Sequence, residues 1–440
     1  MYLPPGFEAR LRLDFGADIA EKVLAAIEEG RPPVSIRHNP LKPFAPRAGE
    51  PVPWEPLAEW LPERPDFVLD PLWHAGTYYV QEASSMMLGQ VFDQVASDLP
   101  GPLTLLDLCA APGGKSTHLL SRMRPGDLLV SNETIRSRAG ILLENLTKWG
   151  APNVAVTNQD PDRFAALGPF FDVILVDAPC SGEGLFRKDA AAIAEWSEAA
   201  VAHCALRQDR ILRDIWPALK PGGTLIYSTC TFNREENEAR MEALAPFGEL
   251  LNREEGRRGG WYRLEGSPFV RALPGIHRGE GFAIAAIRKT KEMPDAAPSP
   301  YRGASSLKPV REIPWRETLP DGEWAGLAVG GKIFAVPASL LSRIRALDGH
   351  RVMAAGFDMG DERRPAFTAY APGATDRIRD WEAPDLRTAL LYLKRESIPV
   401  DGPNGLLRVL WKGAALGFGK AVNGRLNNQY PMDWRIRRSL

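Results

Sequence analysis

Between residue 103 and about residue 290, short apolar segments alternate with stretches of helical periodicity. This alternation predicts a parallel β-sheet with helices on both faces. The predicted strands are Leu103–Leu108, Leu128–Glu133, Val154–Thr157, Asp172–Asp177, Thr224–Ser228 and Phe282–Ile287. The predicted helices are Lys115–Met123, Arg136–Trp149, Ala190–Leu219 and Arg234–Leu244. In a doubly wound α/β sheet of this kind, ligands bind beyond the carboxyl ends of the strands.

The region before the sheet has a different character. A chain of 440 residues is too long for one hydrophobic core, so two or three domains are expected. Residues 1–98 hold one amphipathic helix, Asp18–Glu29, followed by a stretch that is dense in proline up to Pro71. This pattern predicts a small module wrapped onto its neighbour, the sheet domain at 99–290.

The region after the sheet divides into two parts. Residues 291–310 are rich in proline, serine, glycine and alanine and have no periodicity, which predicts a linker. Residues 311–440 consist of short segments separated by Gly and Pro, which predicts a mostly β region with one helix near Asp385–Lys394. From Arg408 onward there are seven Arg and Lys residues against one Asp. Charge alone leaves open whether this patch is a solvated chain end or a surface for an anionic partner.

Composition narrows the function classes. The formal net charge is −1, so any attraction for nucleic acid must come from local patches. The four cysteines form no CxxC pair and have no histidine at metal-ligand spacing, so neither a disulfide framework nor a metal site is expected. No apolar run approaches the roughly 20 residues that cross a bilayer, and the first residues do not resemble a signal peptide. We therefore expect a cytoplasmic enzyme that uses neither metal nor membrane.

A glycine-rich loop follows the first predicted strand, where a nucleotide-like ligand would sit. A phosphate-binding P-loop is disfavoured because Cys109 stands where that motif needs glycine, six positions before Lys115. A dinucleotide fingerprint needs G-x-G-x-x-G, and the loop contains only Gly113 and Gly114. S-adenosylmethionine fits better, since it carries no phosphate and needs close backbone approach for its methionine end.

Two acidic residues extend this hypothesis. Glu133 ends the second predicted strand 20 residues after Gly113, which is the spacing of ribose-binding acids in related folds. Asp160 follows the third strand and is placed to reach an adenine amino group. Either acid alone is more often a surface or helix-terminal charge, but their order along the chain favours a cofactor site.

Two cysteines follow neighbouring strands. Cys180 comes after the fourth strand and Cys230 after the fifth, and Pro, Ser, Gly and Thr flank them instead of apolar runs. We expect both thiols to open into one cleft beside the methyl donor, and not to be two small core residues.

Two thiols at one site are typical of methyl transfer to a carbon that is not nucleophilic. Carbon 5 of cytosine becomes reactive only after a thiolate adds to carbon 6, and a proton must then leave carbon 5 before the thiol is eliminated. Asp177 and Lys115 are candidates for polarising the ring. Amino-group methyltransferases carry Asp/Asn-Pro-Pro-aromatic at this point, whereas residues 177–180 read Asp-Ala-Pro-Cys, so nitrogen methylation is disfavoured.

Three motifs in order resemble the RNA 5-methylcytosine methyltransferases of the Nop/Sun family. They are Cys-Ala-Ala-Pro-Gly-Gly-Lys at 109–115, Asp-Ala-Pro-Cys-Ser-Gly at 177–182 and Ser-Thr-Cys-Thr-Phe-Asn-Arg-Glu-Glu-Asn at 228–237. The resemblance implies a Rossmann-like class I fold with Cys230 as nucleophile and Cys180 as the thiol needed for product release. It also implies that Asp177 and Lys115 contact the base. The implied cofactor site comprises Cys109, Ala110, Ala111, Pro112, Gly113, Gly114, Lys115, Glu133, Asp160 and Asp177.

The resemblance extends to both ends of the chain. Residues 35–42 and 78–85 look like the N-terminal elements of the family, which implies an RNA-binding segment. Residues 416–420 and 427–431 are similar to the PUA-like module of a bacterial branch that acts on small-subunit ribosomal RNA, although a basic run of that module reads Asn-Asn-Gln-Tyr-Pro-Met here. The implied partner is 16S ribosomal RNA or the 30S subunit, and the protein is expected to be a monomer.

Some alternatives stay open on the sequence. Phe186, Arg187 and Lys188 either hold the RNA backbone near a flipped base or begin an ordinary charged helix. Trp54, Trp60 and Trp73 are expected to be packing residues, not stacking platforms. The substrate could instead be tRNA, and a protein that binds RNA for ribosome assembly without catalysis is the alternative from another class.

Overall fold

The computed structural model describes residues 3–44, 49–251, 259–294, 301, 303–360 and 377–438. Its N-terminal module joins two helices to a small antiparallel sheet. The elements are α1 (Pro5–Phe15), α2 (Ala17–Glu29), β1 (Val34–His38), β2 (Glu50–Pro51), β3 (Ala58–Leu61), α3 (Pro71–His74) and β4 (Tyr78–Val80). The strand order is β2-β3-β1-β4. The predicted helix is confirmed as α2, but α1 and the sheet within the proline-dense stretch were not predicted.

The central domain contains all six predicted strands. Its elements are α4 (Met87–Asp98), β5 (Thr104–Asp107), α5 (Gly114–Leu120), β6 (Leu128–Asn132), α6 (Arg136–Trp149), β7 (Val154–Thr157), α7 (Pro161–Phe164), β8 (Phe171–Asp177), α8 (Ala190–Glu195), α9 (Glu198–Ile215), β9 (Leu219–Thr229), α10 (Glu238–Leu244), β10 (Gly248–Leu250), β11 (Val270–Ala272) and β12 (Phe282–Lys289). Strands β9-β8-β5-β6-β7 are parallel, and β12 pairs antiparallel with β9. The predicted α/β class is confirmed.

Two helix predictions need correction. The single helix predicted over Ala190–Leu219 is wrong, because Ser197 begins a new helix by accepting a hydrogen bond from the Ala200 amide. That helix, α9, ends before Pro217, and Leu219 already belongs to β9. The helix predicted from Arg234 begins only at Glu238, because residues 234–237 form a turn.

The C-terminal region is mostly β, as predicted. Its elements are β13 (Leu307–Val310), β14 (Trp324–Val329), β15 (Lys332–Pro337), α11 (Leu341–Ala346), β16 (Val352–Ala355), β17 (Phe357–Gly360), β18 (Ile378–Glu382), α12 (Leu386–Leu393), β19 (Gly405–Trp411), β20 (Ala414–Val422) and β21 (Arg425–Asn428). They form two four-stranded sheets, β13-β14-β15-β17 and β18-β19-β20-β21. The predicted helix is α12, which begins after its N-cap Asp385.

The observed elements cross the predicted domain limits. Helix α4 packs in the core of the large sheet, although it falls within predicted segment 1–98. Strand β16 pairs with β7 and extends that sheet to nine strands. The predicted linker at 291–310 ends in strand β13, and its residues 295–300 and 302 lie outside the described part of the chain. The domain limits themselves stay a prediction.

Candidate active site

The loop after β5 has a backbone that a small ligand can approach closely. Helix α5 begins after Gly113, whose φ of +113° favours glycine. A Cβ on Gly114 would lie 3.3 Å from a ring carbon of Tyr79. One carboxylate oxygen of Asp107 accepts a hydrogen bond from Ser116 Oγ at 2.7 Å, while the other is buried without a partner among the described residues. The unpaired oxygen of Asp107 could accept a hydrogen bond from the amino group of S-adenosylmethionine. The glycine turn beside it has no side chains, so the methionine end of that ligand could approach its backbone closely.

Burial determines the protonation state of Asp107, at the end of β5. It raises the pKa of Asp107 to about 7, although the hydrogen bond from Ser116 acts in the opposite direction. A cationic ligand group at the free oxygen would favour the charged carboxylate. Burial also raises the pKa of Cys109, so that thiol stays neutral. Cys109 packs against the central core, and the amide of the next residue, Ala110, donates to the Asn132 carbonyl at 2.8 Å.

Helix α6 holds the loop from the other side. Arg138 donates to the Ala111 carbonyl at 2.9 Å, and Asn145 donates to the Pro112 carbonyl at 2.8 Å. Glu133 follows β6 and is buried, with one oxygen 3.3 Å from the Arg138 guanidinium. Both contacts of Arg138 bring the predicted ribose acid and the loop together at one edge of the sheet.

Asp160 lies at the same edge but in a different environment. It is exposed, follows β7 and precedes helix α7. Its amide donates to the side chain of Gln159 at 3.2 Å, and Gln159 also donates to Tyr301 at 3.1 Å. The loop that carries the predicted adenine contact is thus supported by a residue of the C-terminal region, which the sequence did not indicate.

Lys115 and Asp177 form an ion pair between the first turn of α5, after the glycine loop at 109–114, and the end of β8. Lys115 Nζ lies 2.8 Å from Asp177 Oδ2, and Ser228 Oγ donates to Asp177 Oδ1 at 2.8 Å. Burial alone would lower the pKa of Lys115, but the ion pair outweighs it and the pKa is raised. The amine is therefore a fixed positive charge at the strand ends, 5.1 Å above the Phe282 ring.

The two cysteines meet as predicted. Cys180 Sγ and Cys230 Sγ lie 3.3 Å apart and are partly exposed free thiols. The hydrogen bond from Cys180 lowers the pKa of Cys230, and the positive charges of Lys115 and Lys188 act in the same direction. The same contact raises the pKa of Cys180 well above its ordinary value, and burial and Glu236 add to that. The directions of the two pKa shifts make Cys230 the more acidic thiol of the pair.

A buried polar network behind the cysteines was missed by the sequence analysis. Glu183 accepts hydrogen bonds from Thr231 Oγ1 at 2.6 Å and from the amides of Phe232 and Asn233 at 2.7 and 3.1 Å. Glu236 accepts from the Ser181 amide at 3.0 Å and from Asn233 at 2.8 Å. The network ties the loop after β8 to the loop after β9. Its sequence signal was the polar run at 231–237, which was used only for the resemblance.

Of residues 186–188, for which an RNA contact and the start of a charged helix are both open on the sequence, two are buried. Phe186 is fully buried and lies 4.9 Å from Phe7 of α1. Arg187 is buried in an ion pair with Glu280 at 3.0 Å. Only Lys188 is exposed at the cleft.

The tryptophan prediction agrees with the structure. Trp54 and Trp60 are buried and pack edge to face, with their ring centroids 5.4 Å apart. Trp73 is partly buried and lies beneath the Lys148 amine at 5.1 Å.

The basic C-terminal patch is only partly free. Arg408 pairs with Asp380 at 2.6 Å, and Arg438 pairs with Asp66 at 2.6 Å. Other cations line a cavity of about 650 Å³ between α12 and the last residues of the described chain. Its cationic lining residues are Lys394, Arg395, Arg435 and Arg437.

The described residues contain neither a metal-binding group nor a membrane-spanning helix. Within those ranges, His, Cys, Asp and Glu side chains form no group of three that could hold a metal ion. The helices that the structure describes include none with the length and apolarity to span a membrane.

Fold and site together define the class of protein. The arrangement is that of class I S-adenosylmethionine-dependent methyltransferases: five parallel strands at the centre of the sheet, a glycine turn after β5, and acidic residues after β6 and β7. Residues 82–288 match the family model of the 16S rRNA methyltransferase RsmB/F. Residues 3–83 match the N-terminal domain of the 16S rRNA methyltransferase RsmF, and residues 383–436 match the methyltransferase RsmF PUA domain.

The chain belongs to the RsmB/F family of RNA methyltransferases. A ribosomal RNA small subunit methyltransferase F from Klebsiella pneumoniae (strain 342) is 32% identical over 98% of this chain and 96% of its own length. One from Aliivibrio fischeri (strain MJ11) is 30% identical over 98% of each chain. The resemblance drawn from the three motifs, and the PUA-like prediction, are confirmed.

Solved structures agree with this fold. A methyltransferase homolog protein from Pyrococcus horikoshii is 29% identical, with a TM-score of 0.54 over 64% of this chain and 94% of its own. NSun6 from Pyrococcus horikoshii, solved with SFG, has a TM-score of 0.54 at 21% identity and covers 66% of this chain and 99% of its own. At that identity the second likeness concerns the fold alone.

Proposed function

We propose that this protein methylates carbon 5 of cytosine in small-subunit ribosomal RNA through a covalent adduct with Cys230. The observation that carries the proposal is the 3.3 Å contact between Cys180 and Cys230 at the ends of neighbouring strands. The fixed charge of Lys115 lies beside that contact and beside the cofactor loop. The two cysteines would supply a nucleophile and a proton acceptor at the same edge of the sheet where the methyl donor would bind.

The loop geometry supports the proposed set of cofactor residues. Residues 109–115 would hold the methionine end, with Glu133 at the ribose, Asp160 at the adenine and Asp177 between the loop and the base. When bound there, S-adenosylmethionine supplies an electrophilic methyl group. The protein side of the site contributes the bare turn at Gly113 and the unpaired oxygen of Asp107.

The first protein step is addition. The Cys230 thiolate, stabilised by the Cys180 hydrogen bond and by Lys115, forms a bond to carbon 6 of cytosine. The displaced electron pair moves toward nitrogen 3 and oxygen 2, where Asp177 and Lys115 orient and polarise the ring. Carbon 5 thereby gains the electron density that methyl transfer requires.

The second protein step is elimination. Cys180 cannot easily ionise while the Cys230 thiolate accepts its hydrogen bond, because that contact raises its pKa. Once Cys230 sulfur is bound to carbon 6 it carries no charge, so the main obstacle to ionising Cys180 disappears. Once carbon 5 carries the methyl group, Cys180 loses its own proton to solvent, and the resulting thiolate takes the proton from carbon 5. The carbon 5–carbon 6 double bond forms again, and the sulfur–carbon 6 bond breaks to release Cys230 as a thiolate.

The RNA must present an unstacked cytosine, because carbon 6 is shielded within a helix. Lys188, exposed at the cleft, and the cationic cavity between α12 and the chain end are the surfaces suited to its backbone. The relatives named as small-subunit methyltransferases favour ribosomal RNA over tRNA. The cytoplasm and the monomeric state remain predictions of the sequence.

The test uses purified protein, S-adenosylmethionine with a labelled methyl group, and unmodified 16S rRNA, 30S subunits or tRNA. We expect label in small-subunit RNA, recovered as 5-methylcytosine after nuclease digestion and mass spectrometry. Label in tRNA alone would overturn the ribosomal substrate. Absence of label from every RNA would favour the assembly-factor alternative, and a label on an exocyclic nitrogen would overturn the cysteine mechanism.

A further inference from the structure

The N-terminal module inserts a fully buried guanidinium beside the cofactor helix. Arg37 of β1 is 0% exposed. Its Nε donates to Gln81 Oε1 at 2.8 Å, and its guanidinium carbon lies 4.6 Å from the Trp149 ring centroid. Burial lowers the pKa of Arg37 to about 9, so the group is still charged at neutral pH. A buried cation of this kind needs all its donors satisfied.

The remaining donors of Arg37 all contact α5 or the residue that follows it. The two terminal nitrogens donate to Thr117 Oγ1 at 2.6 Å and to the Thr117 carbonyl at 3.3 Å. They also donate to Ser121 Oγ at 2.8 Å and to the Gly114 carbonyl at 3.4 Å. Together with Gln81, these contacts use the five N–H donors of a guanidinium, and their acceptors are neutral oxygens. The forked guanidinium therefore binds one face of α5, through acceptors that are three and four residues apart along the helix.

Helix α5 carries the site residues in its first turn. Gly114 belongs to the cofactor loop, and the next residue, Lys115, reaches Asp177 at 2.8 Å and lowers the pKa of Cys230. The helix has only seven residues, so its own hydrogen bonds hold it weakly. Contacts from outside must therefore set where its first turn lies.

A second buried contact from the same module reaches the same helix. Glu55 Oε2 lies 2.6 Å from His118 Nε2, and both side chains are 0% exposed. Arg122, just past the helix, pairs with the same carboxylate. The N-terminal module thus contacts α5 at its first turn and near its end.

We propose that Arg37 is a positioning residue for the methyltransferase site, because its fork fixes the first turn of α5 and hence the cofactor turn and the Lys115 amine. The proposal extends the proposed function by assigning to the N-terminal module a part in building the site, besides any contact with RNA. Lysine, with three donors on a flexible chain, cannot reproduce five hydrogen bonds in a plane.

The test compares Arg37→Lys with Arg343→Lys. Arg343 of α11 makes a similar clamp between regions, donating to the Leu103 carbonyl at 3.0 Å, but at the amino end of β5. Three properties are measured on the full chain: melting temperature, calorimetric affinity for S-adenosylmethionine, and the pH dependence of Cys230 alkylation by iodoacetamide, located by mass spectrometry. The last two need no RNA, so they remain informative if the chain does not methylate cytosine.

We expect Arg37→Lys to weaken cofactor binding about tenfold and to move the Cys230 alkylation midpoint to higher pH. A displacement of about 1 Å in a catalytic group lowers turnover on the order of 100-fold, and methyl transfer should fall by that order. Arg343→Lys should change the melting temperature alone. If both variants lose melting temperature while cofactor affinity and the alkylation midpoint stay unchanged, Arg37 is merely structural and the proposal is wrong.

A second pair of variants covers the case in which Arg37→Lys does not fold. Thr117→Val removes the closest acceptor of the fork while keeping the side-chain shape, and Thr117→Ser keeps the hydroxyl. We expect Thr117→Val to shift both cofactor affinity and the alkylation midpoint, and Thr117→Ser to restore them. Equal behaviour of the two Thr117 variants would overturn the proposal.

Discussion

Cys180 and Cys230 are 50 residues apart in the chain, yet their sulfur atoms lie 3.3 Å from each other. The register of the parallel strands explains this, because Asp177 at the end of β8 lies beside Ser228 near the end of β9. Cys180 lies three positions after the end of β8, and Cys230 is the first residue after β9. The sheet itself therefore holds the two cysteine side chains together, beside the Lys115 amine.

Replacing Cys180 should make Cys230 less acidic. The hydrogen bond from Cys180 is the largest influence that lowers the pKa of Cys230, so Cys180→Ala should raise it. A higher pKa leaves less thiolate at neutral pH, and alkylation of Cys230 at pH 7 should slow several-fold. The measurement is the alkylation rate against pH. Cys204→Ala on α9 is the control, and an unchanged midpoint in Cys180→Ala would contradict the assignment.

The two cysteines should differ in their covalent behaviour with RNA. Cys180→Ala should accumulate a protein–RNA adduct, because carbon 5 keeps its proton and Cys230 is not eliminated. Cys230→Ala should form none, since it lacks the nucleophile. Denaturing gels with labelled RNA and S-adenosylmethionine measure this. An adduct in Cys230→Ala instead would reverse the two roles.

Loss of the Lys115 charge should affect catalysis much more than stability. Lys115→Met removes the ion pair with Asp177 and the positive charge near Cys230, so we expect methyl transfer to fall on the order of 100-fold. Lys220→Met is a matched control, because Lys220 pairs with Asp172 at 2.8 Å at the other end of β8. Single-turnover rates and urea unfolding are measured for both. Equal rate losses in the two variants would show that the position of the charge is unimportant.

The two loops that carry the cysteines can pack together only because residue 184 is a glycine. A Cβ on Gly184 would lie 2.6 Å from the Gly281 carbonyl oxygen and 2.7 Å from that of Cys230. Gly184→Ala should therefore destabilise the protein by about 1–3 kcal/mol and displace Cys230. Gly140 on α6 has open space around it, so Gly140→Ala should instead stabilise by about 0.5–1 kcal/mol. Urea unfolding checks both signs, and a neutral Gly184→Ala would contradict the packing.

The burial of His118 should make the protein sensitive to acid. Burial lowers the pKa of His118 from 6.5 to about 4. Between these values the unfolded chain binds the proton and the folded chain does not, so the free energy of unfolding should fall as pH drops from 6.5 to 4. The slope from this group is at most about 1.4 kcal/mol per pH unit. Below pH 4.5, Glu55, whose folded pKa is about 2, continues the loss.

The variant His118→Gln isolates this effect, because glutamine still donates to Glu55 but does not titrate. Its unfolding free energy should vary less with pH between 6.5 and 4 than that of the parent chain. Urea unfolding at several pH values measures the difference. Parallel profiles for parent and variant would exclude His118 as the source.

Local pattern was enough to locate the strands, the glycine turn and the two thiols. Apolar strands alternate with helical stretches along the chain, and polar residues at strand ends meet at one edge because the strands are parallel. Hence Lys115, Asp177, Cys180 and Cys230 were predicted together from their positions after strands. Predicting that these four residues lie together required only that the sheet be parallel. It required no particular contact between distant segments of the chain.

The partners of charged residues were decided by the tertiary structure alone. Arg187 lies next to the Cys180 loop, and an RNA contact was one of two roles that the sequence left open for it. The side chain is instead buried in an ion pair with Glu280, 93 residues away. Arg37 contacts Thr117 across 80 residues. A charged side chain has the same local pattern whether it meets solvent or a buried partner, because its environment is supplied by segments far along the chain. Motif and periodicity therefore determined the family and the location of the candidate site, and long-range packing determined which charged side chains are buried in ion pairs and which remain exposed.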